Sequence, residues 1–150
     1  MKDGKLQGLV VSNVDDLILA GNKTFEKDVT KKLQNILKFS KIEEKSFNYC
    51  GCHIVSNDDG SVELDQNEYI DALKAIDHLE GDPDRKLSEK EIKAVRGKVG
   101  ELLWLSLITR PDLSYDINVL SGEVSKATVT TAKELNKLVT KAKKSMELLV

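Results

Sequence analysis

Two adjacent carboxylates, Asp15 and Asp16, are the sharpest chemical feature of this sequence. They sit in Val14-Asp15-Asp16, between Leu6 to Val11 and Leu17 to Ala20, two short apolar, β-branched runs that read as the strands of a hairpin. Neighbouring side chains in a regular strand point to opposite faces, so adjacent carboxylates can converge on one ligand only where the chain turns. Carboxylates held between strongly apolar strands must meet solvent or a cation. Magnesium binds carboxylate oxygens together with waters and substrate phosphates, which suits such a tip. A solvated turn that happens to carry two aspartates is the plainer reading of the same residues.

A second group is cationic. Lys133, Lys137, Lys141 and Lys144 recur at helical spacing, opposite the apolar positions Leu135, Leu138, Val139 and Ala142. Lysines along one face can neutralise nucleic-acid phosphates as point charges, or they can simply keep an amphipathic helix soluble. No aromatic residue interleaves with them, so base-specific readout is not expected. Only Arg85, Arg96 and Arg110 are arginines, which argues against forked phosphate recognition as a theme.

Other groups carry less. Cys50 and Cys52 are too close for an unstrained bridge, and with His53 they lack a fourth zinc ligand. They read as small buried cysteines in a strand. Asn57-Asp58-Asp59-Gly60 resembles part of a calcium loop, but Val55 and Gln66 fall at the first and last ligand positions and the cage fails. His78 has no visible partner and receives no role.

The elements that must position these groups follow from pattern and composition. The chain has 150 residues and a mass of 16.7 kDa, with 40% apolar and 32% charged residues, enough for one globular core. The longest apolar stretch, Leu102 to Ile108, is too short to cross a bilayer, and the polar start MKDGKLQG lacks a signal-peptide apolar region. An intracellular chain is expected, cytoplasmic or nuclear, neither secreted nor in a membrane. Net charge is -2, divided as -5 over residues 1–87 and +3 over residues 88–150, so any basic face belongs to the second part.

The hairpin strands are apolar on both faces, which predicts a sheet covered by helices. Asn22 to Thr24 offers a helix cap, and Phe25, Val29, Leu33, Ile36 and Leu37 form the stripe behind it. Residues 47–55 read as a strand, Asn57 to Gly60 as a turn, and Ser61 to Leu64 as the returning strand. Residues 67–77 predict a helix with Tyr69, Leu73 and Ile76 on one side. Residues 79–87, with Gly, Pro and mixed charges, predict an exposed link. Beyond it three helices follow. Ser88 with Glu91 makes a capping box before the stripe Ile92, Val95, Val99, Leu102 and Leu103. Thr109, Pro111 and Asp112 predict the cap, first position and dipole partner of the next helix, whose stripe is Leu113, Ile117, Leu120 and Val124. Leu135, Leu138, Val139, Ala142 and Met146 make the third. Trp104, Leu105, Leu107 and Ile108 read as core. The fold class is α+β, a mixed half followed by a helical half.

The run from Gly8 to Gly21, GLVVSNVDDLILAG, resembles the aspartate-pair hairpin of reverse transcriptases from copia-type LTR retrotransposons. Further segments resemble that family in the same order: Gly51 with Ile54, Leu64-x-Gln66-x-x-Tyr69-Ile70, Arg96-x-x-Val99-Gly100-x-Leu102-x-Trp104-Leu105, and Thr109-Arg-Pro-Asp112-Leu-x-Tyr115. The similarity runs in register over roughly residues 4 to 145. It implies a partial palm over 1–78, a link at 79–87 and a helical, thumb-like region over 88–150. It implies an RNA-directed DNA polymerase that joins nucleotides with two Mg2+ ions, acting on an RNA template, a DNA primer and dNTP.

Carried over residue by residue, Asp15 would be a direct metal ligand and Asp16 its supporting neighbour, while Lys133, Lys137, Lys141 and Lys144 would lie in the region that grips primer and template. The family supplies a third carboxylate and the fingers upstream of this hairpin, so the fragment alone is expected not to polymerise. It is also expected to self-associate through apolar strand edges that the other half would pair. Asn13 stands where the family usually has a tyrosine, and Cys50 where it tends to have leucine. The alternative expectation is a non-catalytic remnant that binds nucleic acid or protein, and a third is an open reading frame without selected function.

Overall fold

A computed structural model describes residues 4–39 and 41–144, and Met146 of the third helical stripe lies outside them. The chain divides into two compact units, Met1–Leu64 and Asp65–Val150. Its class is α+β, with two small antiparallel sheets and five α-helices among the described residues. None of those helices is long and apolar enough to cross a membrane.

In the first unit, β1 (Gly8–Asn13) and β2 (Asp16–Gly21) pair antiparallel from Gly8 opposite Gly21 to Asn13 opposite Asp16. Val14 and Asp15 make the turn, with Val14 at φ 50°, a strained value for a β-branched residue. Helix α1 (Lys23–Ile36) starts where expected. The Asn22 side chain accepts from the Phe25 N–H at 2.9 Å. The Phe25 ring then lies on the facing glycines of the hairpin: a Cβ at Gly8 would stand 2.2 Å from it, and one at Gly21 2.5 Å. Only glycine permits that approach.

A second sheet follows, in the order β3 (Ser46–Tyr49), β4 (Cys52–Ser56) and β5 (Val62–Asp65). Residues 47–55 are therefore two strands where the apolar pattern predicts one. Cys50 and Gly51, at φ 50° and 76°, turn the chain between them as a two-residue hairpin loop requires. The Asn57 to Gly60 turn forms as expected, with Gly60 at φ 87° and the Asn57 N–H on the Ser61 carbonyl at 2.9 Å.

The expected helical cover over the first hairpin is largely missing. Among described residues 4–64 only Cys52 is buried. Leu9, Val10 and Val11 stay 56%, 43% and 49% exposed, and the α1 stripe ends with Ile36 78% exposed. One short helix touches β2 and Phe25 covers only the hairpin base, so apolar content exceeds what this unit can cover. Its strands are apolar, but they have no core to face.

The second unit has the core. Helix α2 (Asn67–Ala72) stops well short of residue 77, and residues 73–80 continue without regular secondary structure. The Asn136 side chain holds that stretch as a strand neighbour would: the Ile76 N–H donates to Oδ1 at 2.7 Å, and Nδ2 donates to the Ile76 carbonyl at 2.9 Å. Residues 79–87 are largely exposed, as expected of a link, but they are bonded to the helical unit. The Leu87 N–H reaches the Ala127 carbonyl at 3.1 Å, the Val129 N–H reaches Arg85 at 3.1 Å, and the Thr130 N–H reaches Pro83 at 3.0 Å. The boundary between the units therefore falls at Leu64, ahead of the expected one, because residues 66–87 are strapped to the helices.

Helix α3 (Glu89–Ile108) begins at the expected capping box. Arg85 grips the Glu91 carboxylate with both terminal nitrogens, at 2.7 and 3.1 Å, while the Ser88 N–H and hydroxyl also donate to it. Helices α4 (Ser114–Glu123) and α5 (Val129–Lys143) complete a bundle. Val95, Leu102, Leu105, Leu113, Ile117, Val129, Ala132 and Leu135 are wholly buried. Trp104 and Leu107 leave the expected core: they are 40% and 78% exposed on the outer face of α3, where only Leu105 of that cluster points fully inward.

Thr109 does not cap α4. It ends α3, and its hydroxyl donates to the Gln66 side chain at 2.8 Å. Asp112 is likewise taken by Arg110, whose Nε and Nη2 both donate to it at 2.9 Å. The same buried guanidinium donates to the final carbonyls of α5, at Ala142, Lys141 and Lys144. Arg110 thus joins the α3–α4 turn to the end of α5.

Replacing Arg110 with methionine removes the fork and orphans those carbonyls. The expected cost is about 3–5 kcal/mol, the usual result of breaking a buried pair, and urea unfolding followed by helical circular dichroism measures it. The Glu91 pKa is held down to about 2, from an ordinary 4.5, by Arg85 first and then by Ser88. That contribution is present above pH 4.5 and fades as pH falls toward about 2. Glu91→Gln should flatten this acid limb in unfolding curves taken across that range.

Candidate functional site

The hairpin tip gathers more than the two aspartates. Asp15 occupies the turn and Asp16 opens β2, both exposed to solvent. Because the strand begins at Asp16, its side chain leaves on one face of the ribbon while Asp15 is presented from the turn, the arrangement that lets neighbours converge. Opposite Asp16 is Asn13, whose Nδ2 donates to the Cys50 thiol at 2.9 Å. The tip of the first hairpin is thereby tied to the Cys50-Gly51 turn of the second. Tyr49 belongs to the same cluster. Its hydroxyl is buried beside Cys50 without a hydrogen bond of ordinary geometry, and its pKa is raised by burial, then by Cys50 and Asp16.

Sequence reasoning missed Tyr49 and placed Cys50 inside a strand. The available signal was the Cys50-Gly51 pair, since a glycine in the second loop position is what a tight hairpin asks for. Cys52 is buried in β4, as the cysteine reading expects, and the His53 ring lies 3.0 Å from the Ser46 hydroxyl.

The donor set can be tested against a magnesium ion. One or two carboxylates with waters and phosphates suffice for one ion, and Asp15 with Asp16 fit that share. No group of three metal-ligating side chains occurs among the described residues, so the pair has no further carboxylate with which to hold a two-ion centre.

Lys133, Lys137 and Lys141 lie on α5 as the spacing predicts, whereas Lys144 follows the helix in extended backbone. Lys133, Lys137, Lys141 and Lys144 are exposed, and Ala132, Leu135, Leu138, Val139 and Ala142 are buried behind them. Two of the four face carboxylates. Lys137 pairs with Glu134 at 2.6 Å, and Lys141 reaches across to Asp116 of α4 at 3.2 Å. Exposed pairs of this kind are worth about 0–1 kcal/mol, so a phosphate could displace them at little cost. A shallow cleft of about 300 Å³ between α2 and α3 is lined by Tyr69, Leu73, Lys98 and Glu101. There the buried Lys98 is already matched by Glu101, and the Tyr69 hydroxyl donates to the Glu101 carbonyl at 3.1 Å.

If α5 contacts phosphates, Lys137→Ala with Lys141→Ala should reduce the salt dependence of binding to an RNA–DNA hybrid by roughly one unit of slope per lysine. An unchanged slope in a filter-binding series would leave these lysines as a solvated face. Comparison with protein-family models, with curated proteins and with solved structures finds no match to this chain.

Proposed function

We propose that this chain is the C-terminal palm and thumb portion of a copia-type retrotransposon reverse transcriptase, inactive by itself in RNA-directed DNA synthesis. The observation that carries the reading is the hairpin. A carboxylate pair is presented at the tight turn of two apolar strands, within an ordered series of family-like segments that ends in Thr109-Arg-Pro-Asp112-Leu-Ser-Tyr115. The near-absence of buried residues over 4–64 supports it, since a palm cut at this hairpin would lack the elements that normally cover its sheet.

In this reading Asp15 and Asp16 hold magnesium, which when bound activates the primer hydroxyl and neutralises the triphosphate. Asp15 supplies a direct oxygen ligand from the turn. Asp16 supports it from the start of β2, where the Asn13–Cys50 contact fixes the tip. The lysines of α5 supply counter-charge to primer and template. RNA template, DNA primer and dNTP are the partners, and the compartment is cytoplasmic or nuclear.

A second reading is a remnant without catalysis that retains a nucleic-acid-binding or protein-interaction module. It is favoured by the core of Leu73 to Ala142, whose buried residues among those described all belong to the second unit. Magnesium titration separates the two readings in part. The isolated chain should bind magnesium only in the millimolar range, and Asp15→Asn should change that little, because two carboxylates make a poor isolated cage. In a polypeptide that also carries the upstream palm, the same substitution should abolish primer extension. Tight magnesium binding by this chain alone, lost in Asp15→Asn, would contradict the proposal.

A further inference from the structure

We propose that the lysines along the exposed side of α1 hold the phosphate backbone of a nucleic-acid strand. Lys23, Lys27 and Lys31 recur four positions apart and are exposed, in a stripe that spans about 12 Å of the helix. The acidic balance of residues 1–87 conceals it, because only Glu26 and Asp28 of their carboxylates fall within α1. The placement works against the helix that carries it. Like charges four positions apart repel on a helix surface, and the stripe contains two such pairs. Lys23 is the first residue of α1 and Lys27 lies one turn on, near the positive end of its dipole, while the last turn holds no basic residue.

Glu26 and Asp28 flank the stripe, yet among the described residues no carboxylate comes within ion-pair distance of its three lysines. Lys41 and Lys45 of the same unit do pair, with Glu43 and Asp58, both at 2.7 Å. On α5, Lys137 and Lys141 are matched by Glu134 and Asp116, and Lys141 lies in the last turn, where the dipole favours a cation. An anion lying along the α1 stripe would relieve both its repulsion and its conflict with the dipole. The neighbours of the stripe select that anion. By helical spacing Thr24, Thr30 and Gln34 surround it, and the half-buried Phe25, Val29 and Leu33 fall on the opposite side. A helix that lies on a lipid surface turns its apolar side to the bilayer. Here that side is taken up at Phe25 by Gly8 and Gly21. A nucleic-acid backbone needs only the charges. No arginine or aromatic residue joins the stripe, so phosphates are held without base readout. The contact is separate from the α5 lysines and requires no metal at Asp15 and Asp16.

Fluorescence anisotropy of labelled oligouridylate with the intact chain, over a salt series, tests it. Affinity should fall with salt, and Lys27→Ala with Lys31→Ala should lower the slope of log K against log salt by roughly 0.7 for each lysine removed. Lys23→Glu with Lys27→Glu should weaken binding by roughly tenfold or more at low salt. Without nucleic acid, the same charge reversal should slow hydrogen exchange of the α1 amides by roughly twofold to fivefold, because the conflict with the dipole is gone. A helix that is better protected while binding is lost separates this contact from simple unfolding. No binding at low salt, a charge-reversed chain that binds as before, or binding to phosphatidylserine vesicles without binding to oligouridylate would each overturn the proposal. A slope lowered by Lys137→Ala with Lys141→Ala and untouched by the α1 pair would overturn it while leaving the α5 contact standing.

Discussion

The buried guanidinium of Arg110 is the contact on which the helical unit closes. Its fork on Asp112 fixes the turn between α3 and α4, and its remaining N–H groups satisfy carbonyls that α5 would otherwise leave orphaned. Arginine suits the place because five donors in one plane serve a carboxylate and a helix end at once. The Asp112 carboxyl is held below the usual carboxylate range by that fork, against the opposing effect of burial, and Lys141 adds to the pull. Lys141, exposed on α5, thus also acts on the structural pair.

Around this contact the core spans Leu73 to Ala142, and the segment before α3 serves as its outer strap. The hairpin unit is built differently. Among its described residues, two small sheets, one helix and a single buried cysteine give it local order without a shared interior. Its stability must come from turn chemistry, from the ring of Phe25 on Gly8 and Gly21, and from whatever covers Leu9 to Val11.

How much of this was legible in the sequence follows from how local each cause is. The aspartate hairpin, the Asn22 cap, the Ser88–Glu91 box and the buried stripes at Val95, Leu102, Ile117 and Leu135 depend on residues a few positions apart, and they are where the pattern puts them. The role of residues 79–87 was not legible. Glycine, proline and charge mark exposure, but the hydrogen-bond partners of this stretch at Ala127, Val129 and Thr130 lie some forty positions on and leave no trace in its composition. Periodicity also says which face of a strand or helix is apolar and not whether anything lies against it, hence the bare hairpin and the outward Trp104. Of the tip, the two aspartates were readable, while Tyr49 and Cys50 were not, because only the fold brings their turn beside Asn13.

The central claim is that this chain is a piece of a polymerase whose hairpin unit is completed elsewhere in the same polypeptide. The most direct test is the mass of the native product in its source cells, detected with an antibody to residues 109–115. The account predicts a polypeptide several times heavier than 16.7 kDa. A product that runs at 16.7 kDa, with no larger form, would contradict it.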